Sequence, residues 1–376
     1  MLLFATAIPV GWWFGRSSLG KSESIRHRVE GRSMAPSLWA AHRSITCNQC
    51  ESDWKVDADV SISASCICPY CGSSQDAFEI SKLLIPDVVQ SRPVTDLRIG
   101  QLLVIKKNGR QHVKRLVGLP GDEVTLDGLR LLINGERVED RLTGVPSSVP
   151  LPRFVVDQDS KRQQTRWEPL LEPSQWNRST QRQWIATVGL GESGVSEPIG
   201  DEVDRNDDWL CYSHRSVHDF GQPSPILDDY PGNLDLQRKL FPVDRLSLKG
   251  VAESSDPIKL IIGLWSKQGN RAAEIQVDGK TPFRIDFATA EPNEWLPVTP
   301  HRPIAIRIEG ADVRLSELQV DRLVEYRLRS ADDQAIYPQT VPAKFVFVLG
   351  DNVPVSVDSR DYGLVSIESL MGVIDQ

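Results

Sequence analysis

The chain has 376 residues, of which 40% are hydrophobic, and this length suffices for two or three domains with apolar cores. Its 43 basic and 51 acidic side chains give a formal net charge of −8, which argues against nucleic acid as a partner. Six cysteines are present, and four of them stand in Cys-x-x-Cys pairs, a spacing that indicates a metal site or disulfides.

Residues 1–14 form an apolar, uncharged stretch that ends in two tryptophans and a phenylalanine. A membrane-spanning helix needs ~20 residues, whereas a stretch of about 10–14 residues more often indicates an interfacial or signal-like segment. No charged region precedes the stretch, so it lacks the pattern of a secretory signal peptide. Tryptophan is common at the membrane–water interface. The sequence therefore predicts a short membrane-anchor segment over residues 1–15.

Residues 29–38 read Val-Glu-Gly-Arg-Ser-Met-Ala-Pro-Ser-Leu and place the Ser33 hydroxyl beside small residues. A serine before a proline-containing turn usually serves the turn itself, so this segment alone is a weak signal. A serine hydroxyl is also a poor nucleophile at neutral pH unless a neighbouring base takes its proton. Catalysis at Ser33 thus requires a base from elsewhere in the chain.

Four cysteines form two Cys-x-x-Cys pairs separated by 17 residues: Cys47, Cys50, Cys68 and Cys71. Two such pairs at this separation are typical of a four-thiolate zinc ribbon with a structural role. Two disulfides are the alternative, and an exported domain would favour them by compartment. Cys66 is then a spare thiol close to a ligand, and Cys211 is most simply a small buried hydrophobe. The sequence predicts a zinc ribbon over residues 47–80.

The next region alternates apolar runs with turn signals and predicts β-hairpins. The expected strands are residues 101–107, 111–118, 123–126 and 129–133, with turns at 108–109, 127–128 and 134–135.

Strand alternation puts His112, Lys114 and Leu116 on one face and Arg115 on the other, so only one of the two basic residues can be a buried base. An exposed lysine with a pKa of ~10.4 is protonated, but burial can lower the pKa towards the ~7–8 useful to a general base.

From residue 143 to residue 244 the chain is rich in Pro, Ser, Arg and Trp and has no helical periodicity. Short apolar segments then recur, and they predict strands at residues 245–251, 259–266, 272–277, 283–287, 304–308, 313–318 and 323–328. Asp278-Gly279 and Glu309-Gly310 are hairpin signals. This spacing suggests an antiparallel sandwich inserted over residues 143–329. Four tryptophans could line a sugar- or peptide-binding surface, although core packing is favoured: Trp167, Trp176, Trp184 and Trp209.

Near the C-terminus, residues 349–363 form a turn dense in Asp, Ser and Arg, with Gly-Asp-Asn followed by Ser-x-Asp-Ser-Arg. With residues 29–38 and 112–122, this segment closely resembles the bacterial type I signal peptidases, membrane-bound Ser-Lys proteases that remove signal peptides. The resemblance implies that Ser33 is the nucleophile and that Lys114 is its base. It also implies that the Ser33 N–H forms part of the oxyanion hole, which stabilises the tetrahedral intermediate.

The resemblance assigns supporting roles as well. Ser356 matches a serine that orients the lysine, and Asp358 and Arg360 match a pair that braces the loop. The alternative for that pair is an ordinary surface salt bridge, which contributes little. Gly31 stands where some members have a serine oxyanion donor, so the chain matches the glycine subgroup. Met34 is expected beside shallow pockets for small substrate residues.

The predicted fold is therefore mainly β, with a signal-peptidase-like core in three parts: residues 28–46, 81–142 and 330–376. The zinc ribbon and the β-sandwich-like domain interrupt this core. No cofactor is expected for catalysis, and zinc is expected only as a structural ion. The resemblance implies signal-peptide-bearing precursors and membrane lipid as partners. It also implies a place at the cell membrane, with the catalytic domain on the outer side.

Two other functions remain open. One is a non-catalytic binding protein in which a zinc ribbon and a β-sandwich are built on a signal-peptidase frame. The intact Ser33, Lys114 and Ser356 argue against it. The other is a self-cleaving Ser-Lys protease of the repressor type. Such proteins need a DNA-binding module, which neither the charge nor the motifs support.

Overall fold

The computed structural model describes residues 24–61, 65–76, 81–143, 151–158, 166–179, 183–187, 208–219 and 221–374. Within these ranges the fold is mainly β, as predicted. The predicted anchor over residues 1–15 lies outside them. Among the described helices, none has the length and apolar character needed to cross a membrane.

The described chain contains strands and short helices in the following order. The first strands are β1 (Ile25–Arg28), β2 (His42–Thr46), β3 (Asp53–Asp57), β4 (Ser65–Ile67), β5 (Ser74–Asp76), β6 (Ser81–Leu84) and β7 (Val88–Arg92). Next come β8 (Leu102–Lys107), β9 (Arg110–Gly118), β10 (Glu123–Asp127), β11 (Arg130–Ile133), β12 (Glu136–Arg137) and helix α1 (Val138–Thr143).

The inserted region contributes β13 (Arg153–Gln158), β14 (Trp167–Pro169), β15 (Trp176–Arg178), β16 (Trp184–Ala186), β17 (Leu210–Tyr212), β18 (Leu246–Leu264), β19 (Arg271–Asp286), β20 (Glu291–Pro292), β21 (Ile304–Glu309) and β22 (Val313–Leu323). The C-terminal part adds β23 (Gln339–Thr340), β24 (Phe345–Leu349), α2 (Ser359–Tyr362), β25 (Val365–Ser366) and β26 (Leu370–Ile374). Single 3-10 turns occur at Val217–Asp219, Phe287–Thr289, Gln334–Ile336 and Ile367–Ser369.

A seven-stranded antiparallel sheet, here called the catalytic sheet, has the order β1-β7-β26-β8-β9-β24-β25. It contains the predicted β8–β9 hairpin, whose turn residues Asn108 and Gly109 both have positive φ, at 50° and 75°. Such a turn matches the twist of the two strands it joins. Strand β24 pairs with β9 up to the Leu349–Arg115 pair. The loop that follows β24 therefore begins beside the middle of β9.

The predicted short strands of residues 245–287 are in fact two long ones, β18 and β19, which pair along nearly their whole length. The hairpin predicted at Asp278-Gly279 is wrong, because Gly279 lies inside β19 opposite Ser254. The hairpin predicted at Glu309-Gly310 is also wrong, since β21 and β22 both pair with β18 rather than with each other. The glycine-containing signals mark bends and breaks in a ten-stranded sheet, here called the inserted sheet.

The inserted sheet carries a large apolar core. Side chains from both halves of β18 contribute to it, including Leu248 and Leu260, each fully buried. Three of the tryptophans lie in this core, and Trp209 is buried in a neighbouring cluster with Cys211. The favoured core-packing interpretation of the tryptophans is confirmed, and they do not form an exposed binding surface. Cys211 is a small buried hydrophobe, as expected.

Residues 324–328 differ from the strand predicted at 323–328. Strand β22 ends at Leu323, and beyond it a single bridge joins Arg327 to Arg130. Leaving the sheet frees this stretch to pass between the inserted sheet and the catalytic part of the chain. It carries Tyr326 to the loop that follows β24, where the tyrosine hydroxyl meets Asp351.

Candidate active site and cysteine cluster

Three side chains from the three sequence motifs meet at one point. Ser33 lies in the turn after β1, Lys114 lies on β9, and Ser356 lies in the loop after β24. The Lys114 Nζ is 2.9 Å from the Ser33 Oγ and 3.1 Å from the Ser356 Oγ. Both separations are within hydrogen-bond distance. The structure therefore brings together the nucleophile, the base and the orienting serine that the sequence predicts.

Lys114 is 1% exposed, although its side chain ends in an amine that is normally charged. Burial disfavours the charged form and lowers the pKa of Lys114 to about 8. The nearby Asp358 carboxylate opposes this shift, and the Arg360 guanidinium adds to it. A lysine with this pKa is neutral in a substantial fraction of molecules near pH 8, which is the state a general base needs.

The Ser356 loop is able to approach Ser33 because Gly350 has no side chain. A Cβ added to Gly350 would lie 2.0 Å from the Ser356 Oγ and 2.6 Å from the Ser33 carbonyl oxygen. Both distances are far below van der Waals contact. The glycine of the Gly-Asp-Asn motif is thus required by packing at the site.

Asp358 and Arg360 form a buried pair, and the alternative of an exposed surface salt bridge is wrong. Their side chains are 0% and 1% exposed, with the Arg360 Nη2 2.8 Å and Nε 2.9 Å from the carboxylate. Burial alone would raise the pKa of Asp358, but the Arg360 charge and the Gly350 N–H hold it below its usual value. Because the Gly350 N–H donates to Asp358, the pair links the start of the loop to α2, next to Lys114.

Arg115 is buried as well, on the opposite face of β9 from Lys114. Its guanidinium donates to the Asp351 carboxylate through Nε at 2.8 Å and Nη2 at 2.6 Å, and Nη1 donates to the Gly100 carbonyl at 2.8 Å. This bidentate ion pair lies on the face of β9 opposite Lys114, and it gives the buried Arg115 guanidinium a carboxylate partner. Arg115 is therefore a structural ion-pair partner and not a candidate base.

Other contacts to the loop come from residues that sequence reasoning missed. The Tyr326 hydroxyl donates to the Asp351 carboxylate at 2.7 Å, and the Arg329 Nη1 donates to the Ser356 carbonyl at 2.7 Å. The Asn233 side chain pairs with that of Asn352. None of the missed residues belongs to a motif, and no local pattern marks them.

An open groove of about 870 Å³ adjoins Ser33. Its lining includes Gly31, Ser33, Met34, Val104 and Val113. Most of the Met34 side chain packs in an apolar cluster, since the residue is only 2% exposed. Gly31 has φ of 71°, a conformation that favours glycine, and open space where a Cβ would stand.

The four cysteine sulfurs lie within 4.8 Å of one another. The Cys47 and Cys71 sulfurs are 3.6 Å apart, and those of Cys50 and Cys68 are 3.7 Å apart. These separations exceed a disulfide bond of about 2.0 Å and approach the ~3.8 Å edge of a tetrahedron with 2.3 Å zinc–sulfur bonds. Backbone N–H groups inside both knuckles point at the sulfurs. The donor set could therefore hold a tetrahedral metal ion, with Cys66 buried outside it.

Comparison with known proteins matches residues 22–169 and 304–376, more than half of the chain, to the family described as signal peptidase, peptidase S26. The chain is 38% identical over 47 residues to signal peptidase I of Bacillus amyloliquefaciens and 49% identical over 43 residues to signal peptidase I U of Bacillus subtilis (strain 168). These stretches cover 12% and 11% of this chain and 25% and 23% of the relatives. The chain thus spans about a quarter of the length of the curated relatives it matches. The matches agree with the resemblance seen in the three motifs.

Proposed function

Because the chain belongs to the signal peptidase family, peptidase S26, we propose that it is a membrane-associated endopeptidase that removes signal peptides from exported precursors by a Ser-Lys dyad. The serine endopeptidase class follows from that membership, whereas the substrates and the acting residues are the proposal. The observation that carries it is the 2.9 Å approach of the Lys114 Nζ to the Ser33 Oγ in a buried setting.

In the proposed reaction, neutral Lys114 takes the Ser33 proton as the Oγ attacks the scissile carbonyl. The resulting ammonium then gives this proton to the leaving amine, so the peptide bond breaks and an acyl-enzyme remains. Lys114 next deprotonates a water molecule that attacks the ester, and the proton returns to Ser33 when the acid product leaves. The Ser356 hydroxyl, 3.1 Å from the Nζ, orients the amine throughout.

The tetrahedral intermediate carries an oxyanion that needs hydrogen-bond donors. The Ser33 backbone N–H is proposed as one of them. Gly31 has no hydroxyl, so it adds no side-chain donor. Met34 and Val104 form part of the groove wall beside Ser33, where small substrate residues would pack. The Asp358–Arg360 pair is proposed to brace the loop that carries Ser356 rather than to react.

The cysteine cluster is proposed to bind one structural zinc ion. Four thiolates occupy all positions of a tetrahedral ion, so this site offers no open position for catalysis. The ribbon begins directly after the nucleophile turn, through β2, and loss of the ion would loosen that neighbourhood. Metal analysis combined with mass measurement of the non-reduced protein tests this part. One zinc per chain supports it, and two disulfides without metal contradict it.

The place of the enzyme and its division into domains are proposals as well. A segment over residues 1–15 would anchor the chain, and the catalytic domain would face the outer side of the cell membrane. The three-part core would be interrupted by the ribbon and by residues 143–329. A self-cleaving protease remains the competing function.

Cleavage of an exported precursor tests the proposal. The purified chain in detergent should cut a precursor that has small residues one and three positions before the scissile bond. Ser33→Ala, prepared in the same way, is the matched control and should leave the precursor intact. If the wild-type chain cuts no such precursor, the proposed function is wrong. Cutting only its own chain would favour the self-cleaving protease.

A further inference from the structure

Residues 230–235 of the inserted region reach the active site although they lie outside the family match. The Tyr230 hydroxyl donates to the Asp351 carbonyl at 3.1 Å. The Asn233 Nδ2 donates to the Asn352 Oδ1 at 2.8 Å, and the Asn352 Nδ2 donates back to the Asn233 Oδ1 at 3.1 Å. Asn233 is 8% exposed and Asn352 is 2% exposed. Water therefore has little access to the two amides, and each depends on the other for hydrogen bonds.

Asn352 in turn holds the backbone on both sides of the nucleophile. Its Nδ2 donates a second hydrogen bond to the Arg32 carbonyl at 3.0 Å. Its backbone N–H donates to the Ser33 carbonyl, also at 3.0 Å. The two hydrogens of the Asn352 amide are thus divided between Asn233 and Arg32. If Asn233 were lost, nothing in this pairing would keep the amide aimed at the Arg32 carbonyl, although that oxygen would retain its hydrogen bond from the Ala35 N–H, at 3.1 Å.

The Arg32 carbonyl matters because it shares a peptide group with the Ser33 N–H. In a planar trans peptide the C=O and the N–H point in opposite directions, so fixing one fixes the other. Among the described residues, the Ser33 N–H has no acceptor, and Ser33 lines the open groove. That N–H is therefore free to serve an oxyanion. Because Gly31 supplies no hydroxyl to the oxyanion hole, stabilisation of the oxyanion depends more strongly on the direction of the Ser33 N–H.

We propose that Asn233 is a positioning residue for the reaction: by pairing with the Asn352 amide it sets the direction of the Ser33 N–H towards the oxyanion. The inference rests on the proposed function and gives the inserted region a part in the active site. Asn233 touches neither substrate nor nucleophile and acts only through Asn352.

Asn233→Ala should lower kcat about tenfold and leave KM within about twofold, because oxyanion hydrogen bonds form fully only in the transition state. Direct loss of an oxyanion donor typically costs about 10²–10³ in kcat, and misdirection of one that is still present should cost less. The pH midpoint of the rate should not move, since the surroundings of Lys114 are unchanged. Asn177→Ala is the matched control, because among the described residues the side-chain amide of Asn177, exposed in the same region, has one hydrogen bond, to the Gln175 carbonyl at 3.4 Å.

A second measurement does not depend on turnover. The backbone amide resonance of Ser33, observed in protein labelled with 15N-serine and assigned by Ser33→Ala, should shift in Asn233→Ala and not in Asn177→Ala. An unshifted resonance would overturn the inference. So would a folded Asn233→Ala enzyme with unchanged kcat, or one in which only KM rises. A wild-type chain that cuts no precursor contradicts the proposed function instead, and the resonance then still decides this inference.

Discussion

The catalytic sheet and the inserted sheet bury different kinds of side chain. Around β9 and β24 the apolar core also encloses charged side chains, with Lys114, Arg115 and Asp358 each at most 1% exposed. The core of the inserted sheet is mostly aliphatic, as with Leu248 and Leu260. Buried charges add little net stability even when paired, whereas apolar burial is the main favourable term in folding. The charges buried around β9 are thus better explained by the site than by stability, whereas the apolar core of the inserted sheet contributes mainly to stability.

The contacts of the inserted region with the segment β10–α1 are also charged. Arg130 of β11 pairs with Glu139 of α1 at 2.9 Å, and Arg137 pairs with Asp244 at 3.0 Å. Glu325, just after β22, also lies beside Arg130. Buried ion pairs give directional contacts between neighbouring elements. The inserted sheet is therefore joined to the catalytic part of the chain through specific polar contacts, and the active-site contacts of Asn233 extend the same pattern.

The largest expected effect comes from removing either member of the Ser33–Lys114 pair. Ser33→Ala and Lys114→Ala are each expected to lower kcat by roughly 10⁴-fold or more, because the two groups act as one unit. Lys114→Arg should not restore activity, since a guanidinium stays protonated near neutral pH. Thermal unfolding of each variant should remain cooperative. Substantial turnover by Lys114→Ala would remove lysine from the mechanism.

Asp358→Ala should lower the free energy of unfolding far more than substitution of an exposed residue does. It leaves the buried Arg360 charge without its partner, a type of change that costs about 3–5 kcal/mol. Denaturant unfolding measures the loss, and kcat should fall as well, because the Gly350 N–H also loses its acceptor. Asp278→Ala, at an exposed carboxylate of β19, is the control and should change neither quantity. Equal stability of the two variants would contradict the bracing role.

Leu260→Ala tests the apolar core of the inserted sheet. Removing a fully buried leucine from the inserted core should cost about 2–5 kcal/mol, depending on how far the cavity collapses. The kcat of the folded fraction should stay near the wild-type value, because Leu260 belongs to the core of the inserted sheet. Leu170→Ala, at a leucine that is 36% exposed, should cost far less. A large fall in kcat for folded Leu260→Ala would show that the two sheets are not separable in function.

The pH dependence of the rate tests the burial of Lys114. The base must be neutral, so kcat/KM should rise about tenfold per pH unit below its pKa of about 8 and level off above it. Because the unfolded lysine titrates near 10.5, its burial cost is complete below about pH 8 and fades as pH rises towards that value. A midpoint near pH 10.4 in a rate profile would contradict a desolvated base.

Much of the catalytic sheet could be predicted because its signals are local. The turn at Asn108-Gly109 and the period of two in β9 are read directly from neighbouring residues. The resemblance to a family then singled out Ser33 and Lys114. The burial of Arg115 could not be predicted, because it depends on Asp351, which lies more than two hundred residues away in the sequence.

The inserted sheet was harder to predict for a physical reason. Asp278-Gly279 has the composition of a hairpin turn, and the same positive φ that closes a hairpin also lets a long strand bend. Only pairing across the sheet, which a single sequence does not contain, separates these outcomes. Asn233 was missed for a similar reason, since a lone asparagine in an irregular segment carries no pattern until its partner Asn352 is in place.

The smallest expected effect concerns the Arg32–Asp235 pair, which joins the turn that contains Ser33 to the inserted region at the surface. The two side chains are 23% and 47% exposed, with the Nη1 2.6 Å from the carboxylate. Water and salt screen such a pair, so Asp235→Ala should cost less than about 1 kcal/mol of stability and change kcat less than about twofold. Unfolding and rate measurements at low and high salt check both values. A tenfold fall in kcat would show that the inserted region acts on the nucleophile through this exposed contact rather than through the buried amide of Asn233.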